Sequence, residues 1–161
     1  MSGQTPVGLA VDGENVYWAN STSGGTVMRT PLAGGPSVTV AAGQSNVADI
    51  AVDAMNVYWT TNSMVVSATK DGGGAAVTIA SDLAAANGIA VDSANVYWTE
   101  AAAVVRKPLQ GGPAITLASD EVPTFLAVGT AGVYWATGQV TSCMTDLSDS
   151  GAVVRASLTS Q

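Results

Sequence analysis

Histidine is absent from the chain. Its absence removes the commonest general base and the commonest metal ligand. Cysteine occurs once, as Cys143. An internal disulfide and a thiolate zinc site are therefore excluded, and Cys143 reads as a small buried apolar residue. Charged residues make up only 11% of the 161 positions, well under the typical quarter. Lys and Arg number 5 against 12 Asp and Glu, a net charge of −7. That balance repels a phosphate backbone and an anionic membrane surface, so no nucleic-acid partner is expected. The acidity serves solubility. No apolar run approaches the ~18 residues of a membrane span. The stretch Met1-Ser-Gly-Gln-Thr-Pro6 lacks the basic region and apolar core of a secretion signal. Glutamate is confined to Glu14, Glu100 and Glu121. No Ser-His-Asp set, Cys-His pair or phosphate-cradling loop can be assembled. The expectation is a protein with no catalytic residue, no resident metal and no cofactor.

What the chain does have is a repeat. Ala10-Val-Asp-Gly-Glu-Asn-Val-Tyr-Trp18 returns as Ala51-Val-Asp-Ala-Met-Asn-Val-Tyr-Trp59 and Ala90-Val-Asp-Ser-Ala-Asn-Val-Tyr-Trp98. A fourth copy, Ala127-Val-Gly-Thr-Ala-Gly-Val-Tyr-Trp135, replaces the Asp and Asn with glycine. All 4 tyrosines and all 4 tryptophans lie in these copies. The period is roughly 40 residues, which signals a solenoid, propeller or array. The repeats run approximately 7–46, 47–86, 87–123 and 124–161, within a single domain over 1–161.

Each repeat reads as four short strands. Leu9-Ala-Val11 and its equivalents form the first, and the Val-Tyr-Trp segments form the second. Four-residue turns join them, too short for a crossover. Third strands start at Val27, Val65, Val104 and Val140. The turns Ala33–Pro36, Asp71–Gly74, Gln110–Pro113 and Ser148–Gly151 follow. Fourth strands are Val38–Val40, Val77–Ile79, Ile115–Leu117 and Val153–Arg155. Four antiparallel strands per unit make the blade of a β-propeller, an all-β fold of four four-stranded blades. Alternation along a strand sends Tyr and Trp to opposite faces. Tyr17 and Trp18, Tyr58 and Trp59, Tyr97 and Trp98, and Tyr134 and Trp135 are thus expected to wedge between neighbouring blades.

The unit Ile-Ala-Val-Asp…Val-Tyr-Trp-Thr resembles the YWTD repeat of low-density-lipoprotein-receptor-type propellers, and is similar to NHL repeats. Ala19-Asn20, Thr60-Thr61, Thr99-Glu100 and Ala136-Thr137 stand where the family has Thr-Asp. The family's blade count is usually six. Four blades leave three arrangements open: a closed four-blade ring, half of an eight-bladed homodimer, or a segment of a longer propeller. The resemblance implies a surface or exported binding module for protein or glycan. It implies as an alternative a calcium-dependent hydrolase or lactonase. A third reading is an excised or engineered repeat fragment.

Asp12, Asp53 and Asp92 head their turns and are expected to accept turn amides. Glycine at the fourth copy suits turn chemistry and would break a ring of calcium ligands. Ligand contacts are expected on the face that carries the loops between second and third strands and the connections between blades. The residues chosen there are Asn20, Asn62, Asn87, Glu100, Glu121 and Phe125, because loops on a rigid scaffold carry function. Phe125 is read as lining or plugging the central channel. Asn20-Ser21-Thr22 also matches a glycosylation acceptor, a motif short enough to recur by chance.

Overall fold

The computed structural model describes residues 5–119, 122–137 and 152–156. It is all-β, a propeller of four antiparallel blades with the strands of each blade in sequence order. Blade 1 holds β1 (Pro6–Val11), β2 (Asn15–Asn20), β3 (Thr26–Pro31) and β4 (Val38–Ala42). Blade 2 holds β5 (Val47–Val52), β6 (Asn56–Thr61), β7 (Val65–Thr69) and β8 (Val77–Ala80). Blade 3 holds β9 (Ile89–Val91), β10 (Asn95–Glu100), β11 (Ala103–Pro108) and β12 (Ile115–Ser119). Blade 4 shows β13 (Pro123–Gly129), β14 (Gly132–Thr137) and β15 (Ala152–Ala156).

The β-branched and aromatic content of each second strand explains why these segments are extended. Register repeats from blade to blade. Ala10 faces Tyr17, Ala51 faces Tyr58, Ala90 faces Tyr97 and Ala127 faces Tyr134. Bulges also recur, at Val7/Leu9, Val47/Ile50 and Pro123/Phe125 in the first strands. Each adds local twist where the chain enters the centre of the propeller. At the first of them Gly8 takes φ +61, and a Cβ there would lie 3.1 Å from the Asp49 backbone. A side chain at this point would hold β1 and β5 apart.

One strand assignment needs correction. Val153–Arg155 was expected as the fourth strand of blade 4, after a third strand starting at Val140. Instead β15 pairs directly with β14, placing Arg155 opposite Tyr134. Arg29, Ser67 and Arg106 hold that place opposite Tyr17, Tyr58 and Tyr97. The segment 152–156 is therefore the third strand. Pairing is decided by the partner strand, and a turn-like Ser148–Gly151 before it gave the wrong count. Val140, Cys143 and the turn 148–151 lie outside the described residues.

Among the described residues the core forms three separate seams of apolar side chains. Tyr17 and Val27 of blade 1 pack with Ile50, Val57 and Trp59 of blade 2. Tyr58 and Val65 of blade 2 pack with Ile89, Val96 and Trp98 of blade 3. Tyr97 and Val104 of blade 3 pack with Val133 and Trp135 of blade 4. Each interface thus joins the tyrosine face of one blade to the tryptophan face of the next. Replacing Trp59 or Trp98 by alanine is expected to cost about 3–5 kcal/mol in urea unfolding. Met55→Ala, in an exposed turn, should change stability by no more than about 0.5 kcal/mol. Equal effects at all three positions would contradict this packing.

Candidate binding surfaces

Two ends of the blades and one lateral seam offer polar or apolar groups to a partner. At the end formed by the first hairpin turns, each aspartate is held by its own blade. Asp53 Oδ1 accepts the backbone N–H groups of Met55 and Asn56, both at 2.7 Å. Its Oδ2 accepts the Tyr58 hydroxyl at 2.7 Å. Asp92 repeats this with Ala94, Asn95 and Tyr97, each at 2.7 Å. Asp12 does so with Glu14, Asn15 and Tyr17 at 2.8, 2.7 and 3.0 Å. The aspartates therefore tie the turn to the aromatic core, a link between turn and tyrosine that sequence reasoning did not include. Burial and the neighbouring carboxylate push the hydroxyls of Tyr17, Tyr58 and Tyr97 up to about 12.

Asp12 carries one further partner. The Lys70 ammonium of blade 2 lies 2.6 Å from its Oδ2 and 5.5 Å from the centre of the Tyr17 ring. Burial works against the Asp12 charge, but Lys70 and the turn donors outweigh it and hold the carboxyl well below its usual range. Blade 4 has glycine at 129 and 132. There Arg155 covers the Tyr134 ring at 5.9 Å and donates to the Ala131 carbonyl at 2.8 Å.

The opposite end carries the residues picked from sequence for ligand contact, and the structure gathers only some of them. Asn62 and Asn87 are exposed and lie at the connection between blades 2 and 3. The Asn62 carbonyl accepts Ala86 N–H at 3.1 Å, and Asn87 N–H donates to the Thr99 carbonyl at 3.0 Å. The Thr60 hydroxyl donates to the Asn87 carbonyl. Nearby, Glu100 accepts the Trp98 indole N–H at 2.7 Å. On the preceding connection Gln44 accepts the Trp59 indole N–H at 3.1 Å. These polar groups therefore anchor the core tryptophans from outside.

Asn20 is a correction. It is buried within β2, and its amide donates to Thr26 Oγ1 at 3.0 Å. A side chain held in the sheet offers neither a ligand contact nor a glycosylation acceptor. Phe125 is 75% exposed and pairs with Ala136, on the same face of blade 4 as Ala127 and Tyr134. That face looks toward the seam with blade 1. Glu121 lies outside the described residues.

The seam itself was not singled out from sequence. Blade 1 turns its tryptophan face to it and blade 4 its tyrosine face. Leu9 is 67% exposed, against 4% for its equivalents Ile50 and Ile89. Trp18 and Tyr134 are only partly buried, unlike the other three members of each set. Leu32 is exposed, whereas its equivalent Leu109 packs into the interface between blades 2 and 3. Among the described residues no apolar cluster joins blade 4 to blade 1. The pair Tyr134 and Trp18, expected as a wedge like the others, is instead divided across this seam.

Sequence reasoning also passed over Asp49. It sits on β5 where the other repeats have Gly8, Gly88 and Phe125. Its carboxylate accepts Ile50 N–H at 2.8 Å and Ile89 N–H at 3.2 Å, which stitches blade 2 to blade 3. Burial raises its pKa, and those two amides oppose the rise. The one signal available was a charge at a repeat position that is otherwise uncharged.

No family model matches the chain, and no curated protein matches it. Solved structures do share its fold. A chain of a nidogen/laminin complex has a TM-score of 0.74 and 23% identity, over 84% of this chain and 57% of that one. The computationally designed Ika4 protein has a TM-score of 0.70 and 14% identity, over 96% of this chain and 94% of that one. Virginiamycin B lyase from Staphylococcus aureus has a TM-score of 0.67 and 17% identity, over 94% of this chain and 55% of that one. The chain thus spans little more than half the length of the first and third. Identities at this level show the fold alone.

Two pH dependences follow from the buried groups. Tyr58 and Tyr97 ionise near 10 when unfolded and near 12 when folded. The folded state therefore keeps protons that the unfolded state loses, and stability intact below pH ~10 falls toward pH ~12. Thermal melts across that range should show a shallower fall for Tyr58→Phe/Tyr97→Phe. Asp49, raised, contributes stability that is full below the unfolded carboxylate value and lost as pH rises through the folded one. Asp49→Asn should remove that loss, and an unchanged acid-range profile would contradict the assignment.

Proposed function

We infer that this propeller is a non-enzymatic protein-binding module, and that its partner surface is the pair of apolar faces bordering the seam. The observation that carries the reading is Leu9, Val11 and Phe125 standing exposed, beside a partly exposed Trp18. Large apolar side chains left exposed together on one blade face mark an interaction site. Aromatic and aliphatic anchors are also the groups that supply most binding energy at protein interfaces.

Two further observations favour binding over chemistry. The repeated carboxylates are engaged by turn amides and tyrosine hydroxyls within their own blades. Glu100 is engaged by an indole. The fold is consistent with either class, since it occurs in a nidogen/laminin complex and in a lyase. The chain's own side chains favour the first.

The test is site-directed photocrosslinking. Benzoylphenylalanine at Leu9 or Phe125 is expected to capture polypeptide, and at Met55, equally exposed but in a hairpin turn, to capture none. Equal capture at all three, or none at the seam, would contradict the reading.

A further inference from the structure

We propose that the partner at the seam is a second copy of this chain, so that blade 4 of each copy meets blade 1 of the other and eight blades form one ring. The proposal rests on the protein-binding reading above and names its partner.

The two faces at the seam match the faces that already pack together inside the chain. Three times within the chain, a tyrosine face meets the tryptophan face of the following blade. The two faces left at the seam are one of each kind. Blade 4 presents Tyr134 and Ala127, where interior interfaces use Tyr17 and Ala10 or Tyr58 and Ala51. Blade 1 presents Leu9, Val16 and Trp18, where interior interfaces use Ile50, Val57 and Trp59. Val16 is partly exposed, while Val57, Val96 and Val133 are fully buried. Each copy therefore carries both halves of an interface its own sequence builds elsewhere.

The polar groups around the seam agree. At the interface of blades 1 and 2, Lys70 of the following blade answers the Asp12 carboxylate of the preceding one, while at that of blades 2 and 3 Leu109 holds the lysine's place. At the seam the preceding blade has Gly129 instead of aspartate, and the following blade has Leu32 instead of lysine. Both members of the ion pair are replaced together, so joining the faces buries no lone acid or lysine. The Tyr134 ring is already capped by Arg155. Because the two faces differ, the contact is heterologous. It closes when two copies supply two identical interfaces, and an open chain of copies is its failure mode.

The experiment is the solution mass of the 161-residue chain by light scattering at micromolar concentration. The expected result is about 32 kDa, twice the 16.0 kDa of one chain. Leu9→Glu and Ala127→Glu, each at an exposed position, should each halve the mass with an unchanged far-ultraviolet circular dichroism spectrum. Met55→Glu should leave it at the dimer value. Mixing the Leu9→Glu and Ala127→Glu variants should restore some dimer, because the mixed pair retains one unaltered interface. A mass of one chain overturns the proposal. So does a dimer that survives either seam substitution, since a symmetric contact through one face would tolerate the other change. Should the chain be monomeric yet still crosslink a different polypeptide at Leu9, self-association fails while the protein-binding reading stands.

Discussion

The structure depends on one constraint: successive residues of a strand point to opposite faces. Placing Tyr and Trp side by side in the second strand therefore gives every blade one aromatic for each neighbour. The tyrosine of one blade and the tryptophan of the next share each packed interface. Both rings have a polar end, and burial would be costly without partners for it. Turn aspartates take the tyrosine hydroxyls of blades 1 to 3, and Gln44 and Glu100 take the indole N–H groups of Trp59 and Trp98. Turn chemistry, connection sequence and core packing are thus one system. A one-residue slip of β6 or β10 would exchange the aromatics between faces and lose all these bonds together.

Blade 4 departs from that system in a coordinated way. Its turn has lost Asp and Asn, its tyrosine is capped by Arg155 and is only partly buried, and its first strand brings Phe125 to the seam. Blades 1 and 3 both carry leucine, Leu32 and Leu109, where blade 2 carries the lysine that answers Asp12, but only Leu32 is left exposed. Among the described residues the interior holds one ion pair and three tyrosine hydroxyls bonded to turn aspartates, whereas the seam leaves apolar side chains exposed. This difference is what separates a surface available to a partner from one already spent on the fold.

The repeat made the architecture legible before any coordinates. Val-Tyr-Trp at a regular spacing is local information, and strand 2 of every blade lies where it predicts. Turn aspartates were legible for the same reason, because Asp12, Asp53 and Asp92 bond residues two and three positions away. What depends on distant pairing was not. The place of 152–156 is set by β14, across a long intervening segment, and a turn-like sequence before it misdirected the count. Asn20 looks like the start of a loop, yet Thr26 across the hairpin holds it in the sheet. The exposure of Leu9 was equally hidden, since its sequence neighbourhood matches that of buried Ile50 and only what packs against each face distinguishes them.

The most direct measurement of this account is the accessibility of each indole, read by acrylamide quenching of variants that keep one tryptophan and carry phenylalanine at the other three. At concentrations low enough to hold the chain as a monomer, Trp18 should be quenched readily while Trp59, Trp98 and Trp135 are shielded. If Trp59 or Trp98 proves as accessible as Trp18, the aromatic rings do not lie between the blades and the account fails.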